Sequence, residues 1–213
     1  MGFVIAVDGP AASGKGTISV RLGQAFGFPV LDSGLLYRGV AARLLADGGD
    51  LADEDEAGAA AARLDISALD DPALRTRAAG EAASRVAAYP GVRAALIAFQ
   101  RAFAAREPGA VIDGRDIGTV IAPDAPAKLF VTASPQARAE RRFKQLAAAG
   151  EVITYADILS DIERRDARDG DRSASPMRPA PDAVLLDTTN LGIDAAFDAA
   201  RRIVEAARGA SRG

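Results

Sequence analysis

The chain has 213 residues, is 49% hydrophobic and 26% charged, and carries a formal net charge of −3, which fits one globular domain with subdomains and gives no electrostatic case for a nucleic-acid polymer as partner. It contains no cysteine and no histidine, so disulfides, thiolate or histidine zinc sites and a Ser-His-Asp triad are excluded. Arg, Lys, Asp, Glu and hydroxyls remain, a set suited to phosphoryl transfer, which is mostly positioning and charge neutralisation.

Phe3 to Val7 is a short apolar run rich in strand formers. The start, MGFVIAV, lacks a basic n-region and runs straight into this strand, so it does not read as a signal peptide, and no apolar run approaches the roughly 20 residues of a membrane span; the expected setting is cytoplasmic. From Gly16 the period changes, with Ile18, Leu22, Ala25 and Phe26 on one helical face and Gly27 as the closing glycine. The turn between, GPAASGKGT, spans Gly9, Pro10, Ala11, Ala12, Ser13, Gly14, Lys15, Gly16 and Thr17. Unpaired N–H groups at the helix start, the helix dipole and the Lys15 charge together make a phosphate cradle. Lys15 is one of only three lysines beside 23 arginines. The GxxxxGK pattern is followed by Gly16 instead of Ser or Thr, which moves the hydroxyl to Thr17.

Four further apolar runs, FPVLDSG, GAVIDGRD, AKLFVTAS and DAVLLDTT, read as strands, and Leu35–Ala46, Pro90–Arg106, Pro135–Ala149, Tyr155–Asp169 and Ile193–Arg208 as helices. The alternation predicts an α/β fold: a parallel sheet with helices on both faces and a crevice beyond the strand ends, where Asp8, Asp32, Asp113, Thr132 and Asp187 would collect. Residues 47–91 form a mostly helical insertion between the second and third strands, and residues 149–182 begin as a helix and end in an Arg/Asp-dense loop.

Arginines punctuate the turns. ERRDARDGDR holds Arg164, Arg165, Arg168 and Arg172; taken alone, it could equally be an ion-paired surface helix. Arg38 follows DSGLLY, Arg115 lies in DGRD, and Arg138, Arg141 and Arg142 share a helix face just after the fourth strand. All are expected to converge on the crevice, which suits two polyphosphate ligands and the charge that develops between them.

Together, IAVDGPAASGKGT, LDSGLLYR, VIDGRDIGTVIAPDAPAKLFVTAS, ARAERR and IERRDARD resemble bacterial cytidylate kinases over nearly the whole chain. The resemblance implies a three-layer P-loop kinase with a five-stranded parallel sheet, a helical acceptor-binding insertion and a short lid. Its parts would be core (1–33, 108–148 and 179–213), acceptor insertion (34–107) and lid with flanking helix (149–178). It implies that Gly9–Thr17 holds the ATP phosphates with Arg142, that Lys15, Arg115, Arg138 and Arg165 are catalytic, and that Asp8 and Thr17 act on Mg2+ through water. It implies CMP binding by Ser33, Tyr37, Arg38, Ser84, Arg93, Arg115, Asp116, Arg165, Asp169 and Arg172, with Ser84, Arg93 and Asp116 reading the base. Arg138, Arg142, Arg168 and Arg172 would belong to the lid and its hinges, their mutual repulsion holding the empty site open. The small β-sheet that the family usually inserts between the second and third strands is expected to be missing here, residues 64–66 leading almost directly to a helix with Arg75. The implied reaction is transfer of the ATP γ-phosphoryl group to CMP or dCMP, by a monomer acting on small nucleotides. A P-loop kinase for another small acceptor (UMP or a shikimate-like molecule) and a non-catalytic nucleotide-binding module are the alternatives.

Overall fold

The computed structural model describes residues 2–172 and 175–210. Its centre is a five-stranded sheet made of β1 (Phe3–Asp8), β2 (Val30–Asp32), β3 (Gly109–Gly114), β4 (Ala127–Thr132) and β5 (Val184–Asp187). The order is β2-β3-β1-β4-β5 and every pairing is parallel. Side chains alternate along each strand, so Ile5 and Val7 enter one apolar cluster and Ala6 the other. On the first side lie α1 (Lys15–Phe26) and α8 (Ile193–Ala210), which bury Ile18, Leu22, Ala200 and Val204. The opposite cluster is built by α2 (Ser33–Ala46), α3 (Glu54–Ala62), α4 (Arg77–Val86) and α5 (Pro90–Ala104). A third, small cluster joins α6 (Pro135–Ala148) to α7 (Tyr155–Gly170) through Ala139, Leu146, Ile158 and Ile162. The expected fold class and its helices therefore stand, and α1 ends on Gly27 in the left-handed conformation.

Local expectations need correction at Ala25, Phe26 and Arg75. Ala25 is exposed, and Phe26 is only half-buried, stacked on Phe28. The sheet-facing place goes instead to Gly23, where a Cβ would fall 2.2 Å from Val30 Cγ2, so the helix approaches β2 more closely than a side chain at position 23 would allow. β5 is an edge strand: Val184 and Leu185 are 47% and 63% exposed, and only Leu186 is buried. Arg75 ends a short 3-10 turn, Pro72–Arg75, and α4 begins at Arg77 after the Thr76 cap. As expected, no strand stands between β2 and β3 among the described residues, and two 3-10 turns fill the space.

Candidate active site

The strand ends build the floor of the site. β1 leads into Gly9, where a Cβ would lie 2.0 Å from the Val131 carbonyl oxygen and φ is +143°. Only a glycine lets the loop pass so close over β4. The loop then feeds α1, whose Gly14 cap offers no side-chain hydrogen bond, so the first N–H groups await an anion. Lys15 Nζ stands 3.1 Å from Asp113 Oδ1 at the end of β3. Burial lowers the Lys15 pKa, as does Arg115, while Asp113 opposes the shift; burial likewise raises Asp113. Lys15 is the charge partner of the buried Asp113 Oδ1. Beside the loop lies a crevice of about 610 Å³ reaching Arg141, Arg142, Thr188, Leu191 and Ile193.

Asp8, at the end of β1, is held by backbone donors. Its two carboxylate oxygens accept from the N–H groups of Ile117 and Gly118, each at 2.8 Å. These residues open the π-helical turn Ile117–Ile121 that follows Asp116. Burial raises the Asp8 pKa to about 7 despite those two donors.

The second half of the site lies between α2, α4 and the DGRD turn. Ser33 donates to the Asp113 carbonyl at 2.7 Å. Arg93, partly buried, pairs with the buried Asp116. Burial raises the Asp116 pKa against the pull of Arg93 and Arg172. Asp169, on α7, gathers the rest. Arg115 Nε donates to it at 3.0 Å, Ser84 Oγ at 3.3 Å, and Arg172 also bonds it. Burial alone would raise the Asp169 pKa, but Arg115, Arg172 and Arg165 hold it below the usual carboxylate range.

Arg165 has no such close match: its nearest carboxylate contact is 3.9 Å, to Asp169, and its buried Nε has no hydrogen-bond partner. Burial and Arg115 lower its pKa to about 10. Arg38 faces it. A Cβ on Gly80 would sit 3.1 Å from Arg38 Nη2 and 3.5 Å from Arg165 Nη1, so the missing side chain keeps open the gap between two guanidiniums. That gap belongs to a cavity of about 260 Å³ bordered also by Ala11, Ala12 and Arg142. Arg142 lines this cavity and the crevice beside the phosphate loop, and so links the two spaces.

A family description, Cytidylate kinase, matches residues 5–206. The chain belongs to the cytidylate kinase family. It is 66% identical over 212 residues to the cytidylate kinase of Caulobacter vibrioides (strain NA1000 / CB15N), covering the whole of both chains. It is 60% identical over 207 residues to that of Azorhizobium caulinodans, covering 97% of this chain and all of that one. A solved structure, an uncharacterized protein from Eubacterium ventriosum ATCC 27560, shares the fold with a TM-score of 0.55 at 14% identity, covering 95% of this chain and 98% of that one.

For a cytidylate kinase family member, the expected site residues fall into one connected region, but three lid arginines are placed otherwise than expected. Arg138 is buried and bonded to Asp166, to the Ala133 carbonyl and to the Ala11 carbonyl of the phosphate loop. Arg168 pairs with Glu81 of α4 at 2.8 Å, and Arg172 pairs with Asp169. Mutual repulsion therefore does not hold these arginines apart, because a carboxylate already answers each. Asp113, expected at the crevice with no role assigned, touches Lys15, and one group has no signal in the sequence. The turn 188–193 borders the crevice, with Thr188 Oγ1 donating to the Ser13 carbonyl at 2.9 Å and accepting from Arg141 at 3.0 Å.

Among the described residues no group of three or more Asp or Glu side chains is arranged to hold a metal ion. One or two carboxylates acting through water, with phosphates supplying the rest, is the arrangement Mg2+ favours. The Asp113 carboxylate at the end of β3 and the Thr17 hydroxyl beside the loop fit that demand.

Proposed function

We propose that the enzyme transfers the ATP γ-phosphoryl group to CMP or dCMP, giving CDP or dCDP and ADP. One arrangement carries this reading: the Arg38–Arg165 gap lies between the phosphate loop and the sealed Arg93–Asp116 pair. A phosphate in that gap would answer the unmatched Arg165 charge and stand next to the donor loop. The nucleotide attached to it would then extend toward Asp116.

ATP lies with its phosphates on the N–H groups of Gly9–Thr17 and on Lys15, and with its nucleoside in the crevice beside Thr188 and Ile193. Its phosphates displace Asp113 from Lys15. Arg38, Arg115 and Arg165 hold the acceptor phosphate, and Arg142, bordering both spaces, meets the charge that develops on the transferring group. Asp113, Thr17 and, through water, Asp8 would hold Mg2+, which supplies charge neutralisation between the phosphates. Asp116 accepts from the cytosine amino group, and Arg93 donates to the ring acceptors N3 and O2. Uracil would set an acceptor against Asp116 and a donor against Arg93, and unpaired buried polar groups discriminate strongly. Residues 34–107 then act as the acceptor domain and 149–178 as the lid, in a cytoplasmic monomer. No helix among the described residues is long and apolar enough to cross a membrane.

The test is ADP release with CMP, dCMP, UMP, shikimate and no acceptor. CMP-dependent release well above all non-cytosine acceptors is expected. Equal release without acceptor would make the protein a hydrolase or a binding module, and preference for shikimate would overturn the nucleotide assignment.

A further inference from the structure

Thr188 carries a buried hydroxyl that the proposed chemistry does not use. It follows β5 directly and is 2% exposed. Its Oγ1 lies 2.9 Å from the Ser13 carbonyl of the phosphate loop and 3.0 Å from the Thr132 carbonyl at the end of β4. The Thr132 carbonyl already accepts from the Thr188 N–H at 2.8 Å. A hydroxyl has one hydrogen to give, so it is best spent on Ser13. Arg141, on α6, completes the clasp. It donates to Thr188 Oγ1 at 3.0 Å, to the Thr188 carbonyl, and at 3.4 Å to the Ser13 carbonyl itself. Ser13 is fully buried, and its own hydroxyl has no hydrogen-bond partner among the described residues, so the loop is held here by its backbone.

Across a trans peptide the carbonyl of one residue and the N–H of the next point opposite ways. Holding the Ser13 carbonyl toward Thr188 and Arg141 therefore turns the Gly14 N–H the other way. Gly14 has φ +92° and ψ −2°, and a glycine makes rotation of that peptide easy. Rotated, the peptide would set a carbonyl oxygen where an anion needs a donor. The same device recurs two residues earlier: Arg138 donates to the Ala11 carbonyl at 3.3 Å, and Ala12 stands at φ +59°. Arg138 and Arg141 lie three apart, on one face of α6.

We propose that Thr188 is a positioning residue for the donor phosphates: its hydroxyl, with Arg141, fixes the Ser13–Gly14 peptide so that the Gly14 N–H is presented to the anion. The inference rests on the donor role proposed above for Gly9–Thr17. It assigns Arg141 to the backbone of the loop instead of to a phosphate. Thr188 also borders the crevice beside the loop, so two roles must be told apart. A loop role weakens every ligand that carries the donor phosphates and spares a nucleoside without them. A nucleoside contact weakens adenosine as well.

The experiment is titration calorimetry of Thr188→Val, Thr188→Ser and Lys15→Met with ATP, inorganic tripolyphosphate and adenosine, with KM for CMP measured alongside for the two Thr188 variants. Thr188→Val is expected to weaken ATP and tripolyphosphate by a similar factor, roughly three- to tenfold, the size of one net hydrogen bond, and to leave adenosine binding and KM for CMP unchanged. Thr188→Ser keeps the hydroxyl and is expected to bind all three ligands as the original protein does. Unchanged tripolyphosphate binding in Thr188→Val, an equal loss for adenosine, an equal rise in KM for CMP, or a Thr188→Ser as weak as Thr188→Val would overturn the proposal. If Thr188→Val does not fold, Arg141→Met removes the other donor to the Ser13 carbonyl, and unchanged tripolyphosphate binding there overturns the proposal equally. If Lys15→Met weakens tripolyphosphate while Thr188→Val does not, Thr188 alone loses its role. If Lys15→Met leaves ATP and tripolyphosphate unchanged, the donor assignment itself is wrong.

Discussion

Lys15 Nζ lies 3.1 Å from Asp113 Oδ1, and both side chains are nearly closed to water, at 13% and 3% exposure. The carboxylate stands where a phosphate oxygen would otherwise answer the lysine. Both pKa values are pushed by burial toward the neutral forms, so each group needs the other until an anion replaces Asp113.

Lys15→Met is therefore expected to abolish turnover without unfolding the chain. Loss of one electrostatic group of this kind costs about 2–4 kcal/mol in the transition state. Steady-state kinetics and far-UV circular dichroism check it together. More than about a tenth of the original kcat, with an unchanged spectrum, removes Lys15 from the mechanism.

Base choice is predicted to depend on the Arg93–Asp116 pair. CMP and dCMP should be preferred over UMP by about 10²–10³ in kcat/KM, and Asp116→Ala should lower CMP turnover far more than UMP turnover. Measuring both nucleotides decides whether Asp116 meets the base or serves only as a partner for Arg93.

Stability should also report on Asp169. Its pKa is lowered in the fold, so its contribution is fully present above the ordinary carboxylate value of about 4 and is lost as pH falls through the lower folded value. Asp169→Asn leaves Arg115 and Arg172 without their charge partner, a loss of roughly 3–5 kcal/mol for a buried pair. Thermal melts of both proteins should differ most at neutral pH and converge as the medium is acidified below pH 4. A difference that stays constant with pH would mean that the carboxylate charge is not what holds this cluster.

Closure of α7 is expected to respond to nucleotide, through a cause different from arginine repulsion. The helix is already joined to α4 by Arg77–Asp161 and Glu81–Arg168, exposed or half-exposed ion pairs that contribute little each and are weakened by salt. Filling the Arg38–Arg165 gap with phosphate would add a charge-assisted contact across the same interface. Limited proteolysis in residues 149–154 should slow when a bisubstrate dinucleotide is added, and more so at high salt, where the ion pairs are screened. Equal cutting with and without the analogue would mean that α7 does not move with ligand.

The elements that sequence reading located best were those whose own residues carry the period. The strands ending in Asp8, Asp113 and Thr132, and the helices from Pro90 and Pro135, announce themselves through apolar runs and Pro at the first helical turn. What escaped was set by distant partners. Asp166 sits 28 positions from Arg138 and Glu81 sits 87 from Arg168, so nothing local says that those arginines arrive already neutralised. Gly23 replaced Ala25 at the sheet because the close approach is fixed by Val30, outside the helix.

The contact between Asp8 and the N–H groups of Ile117 and Gly118 has a consequence for the reaction coordinate. Asp8 immediately precedes the loop assigned to the donor phosphates, and Ile117 immediately follows the residue assigned to the base. The donor loop and the proposed base-reading turn are thus joined in one block of β1, β3 and the π-turn. The distance from the donor loop to the proposed base seat would then be set when the chain folds, leaving α7 to bring Arg165 onto the acceptor phosphate and to exclude water.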